Sequence, residues 1–189
     1  MDIAFALIGL LLTWPLFVLI AASVRAQDGG RAIFRQQRIG RDGLMFDCLK
    51  FRSMRMGAEQ VLPSASDPEW QAIRKLTRDP RVTSLGRLLR RSSLDELPQL
   101  INVLRGEMSL VGPRPIVIDE AGRYGRRLAD YCAVRPGLTG LWQVSGRNAV
   151  PYPRRVAMDV WFVRNRTVSV YLTILARTIP AVLSRKGVY

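Results

Sequence analysis

Histidine is absent from all 189 residues, and cysteine occurs only twice. Without histidine there is no Ser-His-Asp triad, no His-ligated zinc and no HExxH metalloprotease. Cys48 and Cys132 lie far apart and form no CxxC, so they supply neither a zinc site nor a disulfide framework. They read as two free thiols in a reducing compartment. Neither GxxxxGKS/T nor GxGxxG occurs, which removes the P-loop and the dinucleotide-binding turn. Aromatic residues make up 8% of the chain, sparse for a surface that stacks nucleic-acid bases. Any chemistry must rest on carboxylates, Lys and Arg, and a hard metal ion.

What is abundant is positive charge. There are 29 Lys and Arg against 15 Asp and Glu, a formal net charge of +14. Such a surface attracts polyanions: nucleic acid, anionic membrane lipids or phosphorylated substrates. The length suits one compact domain with a real core.

Uncharged residues are concentrated at one end. Ile3 to Val24 carries no charge over 22 residues, and as a straight helix it would be about 33 Å long, enough for the hydrocarbon core of a bilayer. A cleaved secretory signal would want Lys or Arg ahead of the apolar run, where only Asp2 stands, so the segment reads as an anchor. Pro15, preceded by Trp14, removes one helical hydrogen bond and crowds the Leu11 carbonyl. Two topologies follow: a kinked spanning helix, with Thr13 near the freed carbonyl, or a re-entrant helix that dips into one leaflet and returns. Arg25, Arg31, Arg35, Arg38 and Arg41 crowd the exit and mark that end as cytoplasmic.

The organisation expected is residues 1–26 as a membrane-inserted helix broken at Pro15, and 27–189 as a cytoplasmic catalytic domain. The fold class is predominantly α with short β or extended pieces and membrane-surface helices. Ala32–Phe34 and Leu44–Phe46 flank a turn at 40–43, and residues 57–82 form a polar loop with one short helix near Trp70. From Ser84 the pattern turns helical, with Leu85, Leu88 and Leu89 on one face. A second helix is expected from about Asp95 to Leu104. The tail from Arg154 is helical again, and its apolar stretch 168–183 suits a helix on the membrane surface or packed on the domain.

The candidate chemistry centres on Ser93-Leu94-Asp95-Glu96-Leu97-Pro98. Proline belongs to the first turn of a helix, which puts Asp95 at or near the N-cap. A plain cap, or a Ser93–Glu96 capping box, accounts for this stretch without any function. The same geometry keeps an Asp ionised beside a bound phosphate, where it becomes a usable nucleophile. Cations are at hand: Lys50 and Arg52, Arg114 locked between Pro113 and Pro115, Arg135 before Pro-Gly, and Arg147 after Ser-Gly. Arginine in particular suits bidentate phosphate recognition, although each alone also fits a solvated surface residue. Asp159, on an apolar helical segment, should meet an arginine or help bind metal.

Taken in order, these segments resemble the monotopic polyprenyl-phosphate phosphoglycosyl transferases, the bacterial sugar transferase family, in its minimal catalytic form. Residues 34–40 (FRQQRIG), 50–54 (KFRSM), 93–100 (SLDELPQL), 102–109 (NVLRGEMS), 112–115 (GPRP), 135–140 (RPGLTG) and 177–180 (RTIP) carry the likeness. The resemblance implies a ping-pong transfer of sugar-1-phosphate from a UDP-sugar to polyprenyl (undecaprenyl) phosphate, as the first membrane step of glycan assembly. In it, Asp95 is the nucleophile, Glu96 its dyad partner, and Mg2+ binds Asp95 and substrate phosphates, with Glu96 as a further ligand. Lys50, Arg52, Arg114, Arg135 and Arg147 become phosphate- or nucleotide-binding residues, supported by Asp159, Pro113 and Pro115. It also implies a re-entrant anchor at the cytoplasmic face of the bacterial inner membrane. Trp14 stands where the family often has serine before the helix-breaking proline.

Two rival classes fit the sequence less well. A membrane-tethered nucleic-acid binder explains the charge but not the proline-locked loops or the acidic turn, so no nucleic-acid partner is expected. A recruiting scaffold leaves Asp95 and Glu96 without a task. The identity of the sugar and the oligomeric state stay open, a homodimer among the options.

Overall fold

In a computed structural model the described residues are 1–58 and 79–184. The expected short helix near Trp70 lies outside them. The rest is mostly helical, with two small two-stranded sheets.

Helix α1 (Asp2–Ala26) runs without interruption through Pro15, so a change of direction there is a kink inside a helix and not a gap of irregular backbone. Thr13 Oγ1 donates to the Gly9 carbonyl at 2.7 Å, one turn back along the helix, and not to the Leu11 carbonyl that Pro15 frees. Ala6, Ile20 and Val24 are buried, and Leu10, Phe17 and Ala21 pack beside them, an i, i+3/i+4 stripe that faces the domain. The remaining face is apolar and exposed, Leu12 to 77% and Trp14 to 61%.

Both ends of α1 are tied to the same domain. At the start, the Asp2 carboxylate accepts from Leu110 N (3.0 Å), Ser109 Oγ (2.9 Å) and the Tyr171 hydroxyl. At the far end, Phe17 meets Phe51 with ring centroids 4.7 Å apart, and Arg52 Nη2 donates to the Val24 carbonyl at 3.3 Å.

Strands β1 (Ile33–Ile39) and β2 (Met45–Phe51) form an antiparallel hairpin around a 3-10 turn at Arg41–Gly43. They are longer than the extended pieces expected from sequence, because the polar run 35–38 also joins the ladder, opposite Leu49, Cys48, Asp47 and Phe46. Helix α2 (Ser84–Arg91) opens on Thr83, whose hydroxyl accepts from Gly86 N at 2.9 Å. Its burial is carried by Gly86 and Leu89, while Leu88 is 61% exposed. Gly86 lets α2 touch the segment just after β2: a Cβ there would lie 1.9 Å from the Ser53 carbonyl.

The expected helix 95–104 is two pieces. Leu94–Glu96 is a 3-10 turn entered through Ser93 in the left-handed region (φ 57°), and helix α3 covers only Gln99–Leu104. Pro98 precedes α3, as its missing N–H favours. No side-chain capping bond forms at Ser93, so neither the cap nor the capping box explains Asp95.

Strand β3 (Ser109–Val111) pairs in parallel with β4 (Gly137–Thr139). A Cβ on Gly137 would sit 2.0 Å from Gly112 N, so glycine is required at this approach. Between the strands lie short helices α4 (Ala121–Tyr124) and α5 (Leu128–Cys132), and after them α6 (Leu141–Ser145). The tail forms α7 (Tyr152–Asn165) and α8 (Val168–Leu183). Ala6, Phe46, Leu100, Val103, Met108, Phe162 and Ile174 make one core shared by α1, β2, α3, α7 and α8. A second joins Ile39, Ile116, Tyr124, Tyr131, Val156 and Val160.

Candidate active site

Asp95 sits on the 3-10 turn with 9% of its surface exposed. Among the described residues its carboxylate makes no hydrogen bond or ion pair. Burial pushes its pKa up to about 6; the charge of Lys50 opposes this, Glu96 adds to it, and Arg90 and Arg114 oppose it again. A buried carboxylate that caps nothing is a poor structural element and a good reactive one.

Glu96 gathers two of those cations. Lys50 Nζ lies 2.8 Å and Arg114 Nη1 3.3 Å from its Oε1. Lys50 comes from β2, Glu96 from the turn, and Arg114 from the loop after β3, so three segments meet on one carboxylate oxygen.

Each segment is held by contacts remote in sequence. Asn102, fully buried on α3, accepts from Leu49 N (3.0 Å) and donates to the Asp47 carbonyl (2.7 Å) and Glu107 Oε2 (2.6 Å). It thereby satisfies backbone groups of β2 and sets the register of Lys50 against the turn. The Pro113-Arg114-Pro115 loop is braced on both sides. Gly137 N donates to the Pro113 carbonyl (2.8 Å), and Arg38 Nη1 donates to the Pro115 carbonyl (2.9 Å). Ile39 N donates to the Ile116 carbonyl (2.9 Å), and Ile116 N to the Tyr131 hydroxyl (3.2 Å).

Of the other expected residues, Arg147 lies close enough to Glu96 to feel its charge, although burial depresses its pKa first. Arg52 turns the other way, toward the anchor, with Nη1 2.7 Å from Asp28 Oδ2. Arg135 lines a separate groove beside the start of α1. The structure therefore brings Lys50 and Arg114 to the two carboxylates, sets Arg147 within range of the Glu96 charge, and leaves Arg52 and Arg135 outside that cluster.

Asp159 departs from expectation in its partner. It is 1% exposed and accepts from the Tyr124 hydroxyl at 2.7 Å, not from an arginine. A neutral phenol shields it less than a guanidinium would, and burial raises its pKa to about 7. The Trp142 indole N–H approaches closely enough to hold that pKa down but finds no partner at hydrogen-bond geometry.

The sequence reading also passed over Arg90. Its Nε donates to Ser53 Oγ at 2.9 Å, and its charge acts on Asp95. The available signal was its place four residues after Gly86, on the face of α2 that touches Ser53.

No group of three or more metal-ligating side chains forms among the described residues, so the chain offers no dedicated metal cage there. Asp95, bearing an unbonded carboxylate, suits a hard ion such as Mg2+, which is commonly held by one or two carboxylates together with substrate phosphates.

Comparison with known proteins gives a consistent picture. The family described as "Bacterial sugar transferase" matches residues 1–185. The exopolysaccharide production protein ExoY of Rhizobium meliloti is 50% identical over 195 residues, covering 100% of this chain and 86% of that protein. The undecaprenyl-phosphate galactose phosphotransferase of Salmonella typhimurium is also 50% identical, but this chain spans only 40% of its length. The UDP-glucose:undecaprenyl-phosphate glucose-1-phosphate transferase of Caulobacter vibrioides is 40% identical, with 100% of this chain and 70% of that protein covered.

Proposed function

Because the chain belongs to the bacterial sugar transferase family, we propose that it moves a sugar-1-phosphate from a UDP-sugar to undecaprenyl phosphate through a covalent Asp95 intermediate. The observation that carries this reading is Asp95 itself: buried, free of any capping duty, and surrounded by the charges of Lys50, Arg90 and Arg114.

In the first step an Asp95 carboxylate oxygen attacks the phosphorus that bears the sugar. The bond from that phosphorus to the bridging oxygen breaks, and UMP leaves with the electron pair. The sugar phosphate stays on Asp95 as an acyl phosphate ester. In the second step an oxygen of undecaprenyl phosphate attacks the same phosphorus and releases the Asp95 carboxylate. The cations bind and orient the diphosphate and offset its repulsion of the nucleophile. Glu96 holds Lys50 and Arg114 side by side so that both face the phosphates. Mg2+ bound at Asp95 and phosphate oxygens would add Lewis-acid neutralisation of charge on the transferred group.

The anchor supports a membrane setting, since α1 is long and apolar enough to insert and leaves most of its surface apolar and exposed. Asp95 then works at headgroup level on the cytoplasmic face, with α1 entering one leaflet as a monotopic element. Contact of both α1 ends with one domain favours this geometry over a span, which would carry the amino terminus about 30 Å from that plane.

The test is purified protein with a panel of UDP-sugars, undecaprenyl phosphate and Mg2+, scored by UMP release. Wild type should turn over at least one donor and Asp95→Asn none. Normal turnover by Asp95→Asn would overturn the mechanism.

A further inference from the structure

A groove of about 650 Å³ opens beside the start of α1, away from the Asp95 cluster. Arg41, Arg135 and Arg166 line it, with Val134 and Phe162 as buried apolar floor and Asp2 as its one acid. The acid is already engaged, accepting from Leu110 N, Ser109 Oγ and the Tyr171 hydroxyl. Among the described residues the Arg41 guanidinium forms one ion pair, with its exposed neighbour Asp42 at 3.3 Å. Arg135 and Arg166 make no hydrogen bond or ion pair within the described residues. The groove thus presents uncompensated cations over an apolar base.

Its position selects the occupant. One wall is the first turn of the membrane anchor, and the other is the first residue of α8. Val168 and Leu172 on α8 are exposed to 61% and 44%, extending the apolar surface away from the groove. Cations at the foot of an inserted helix, with an apolar surface running from them, match a phosphate headgroup with its acyl chains. We propose that this groove binds an anionic phospholipid headgroup, and that the anchor's depth is set there by charge as well as by apolar burial. The proposal rests on the membrane-inserted reading of α1.

Native mass spectrometry of the full chain in detergent tests it, with phosphatidylglycerol, phosphatidylcholine, undecaprenyl phosphate or inorganic phosphate added. Wild type should retain phosphatidylglycerol in preference to phosphatidylcholine, without competition from inorganic phosphate. The pair Arg135→Gln and Arg166→Gln should weaken that retention roughly twenty- to thirtyfold, and the corresponding Lys pair should restore most of it. Equal retention of both phospholipids by wild type, unchanged retention by the Gln pair, or displacement by inorganic phosphate would each overturn the proposal. Preferential retention of undecaprenyl phosphate would also overturn it, assigning the groove to the acceptor. If the Gln pair fails to fold, the wild-type lipid preference decides alone. The anchor geometry is read separately, by labelling of the amino terminus, so a failure there leaves the lipid preference standing.

Discussion

Two buried carboxyls mark the residue scale, and they have unlike surroundings. Asp95 is set among cations; Asp159 accepts from the Tyr124 hydroxyl beside the Trp142 indole, with the charges of Arg155 and Arg114 acting more weakly. Both pKa values are raised by burial, to about 6 and about 7, so the folded chain holds these protons more tightly than the unfolded chain does. Their contribution to stability is complete below the unfolded carboxyl pKa of about 3.9 and is lost as pH rises through the folded values. Asp159→Asn keeps an oxygen acceptor for Tyr124 and removes the titration. Its unfolding free energy should exceed that of wild type at pH 8, by on the order of 1–3 kcal/mol, and the two should converge toward pH 4. Chemical denaturation at both pH values measures this, and a variant less stable than wild type at pH 8 would refute the assignment.

At the scale of elements, the site is a meeting of β2, the 94–96 turn and the loop after β3, and Asn102 locks the first two together. Asn102→Ala leaves Leu49 N–H and the Asp47 carbonyl buried and unpaired, at roughly 1–3 kcal/mol each. The expected result is a lower urea midpoint, with residual activity falling further than a stability loss alone explains because Lys50 shifts against Glu96. An unchanged midpoint would show that water reaches those groups and that Asn102 does not hold the register.

The element scale also separates what was legible in the sequence from what was not. The anchor was legible because a long uncharged run has few other uses, and Lys50, Asp95, Glu96 and Arg114 stood out in short segments of fixed spacing. Ser93 was not, since nothing local announces a left-handed serine, and it divides the expected helix into a turn and α3. The Tyr124–Asp159 pair and the Arg90–Ser53 bond join residues 35 and 37 apart. Periodicity reports which face is apolar but not which distant polar group will reach it. Arg52 stands two residues after Lys50, a spacing that would put both on one face of a continuing strand, yet β2 ends at Phe51 and Arg52 pairs with Asp28 instead.

At the scale of the whole molecule, the anchor is part of the domain's packing. Ala6 shares a core with Phe46 and Leu100, and Val24 shares another with Phe51 and Leu89. A single cysteine added at the amino terminus, with Cys48 and Cys132 replaced by alanine, reports the topology. An impermeant maleimide should leave it unlabelled in intact spheroplasts and label it fully after lysis. Labelling before lysis would mean that α1 spans. Under the proposed mechanism, the basic surface, anchor and buried acid together would serve transfer from a water-soluble donor to a lipid acceptor through one carboxylate. Intact-protein mass spectrometry with a UDP-sugar and Mg2+, but no undecaprenyl phosphate, tests that most directly. Wild type should gain the mass of one sugar phosphate, released on adding the acceptor, and Asp95→Asn should gain nothing. Full turnover with no adduct under any quench, or an adduct of equal yield on Asp95→Asn, would contradict it.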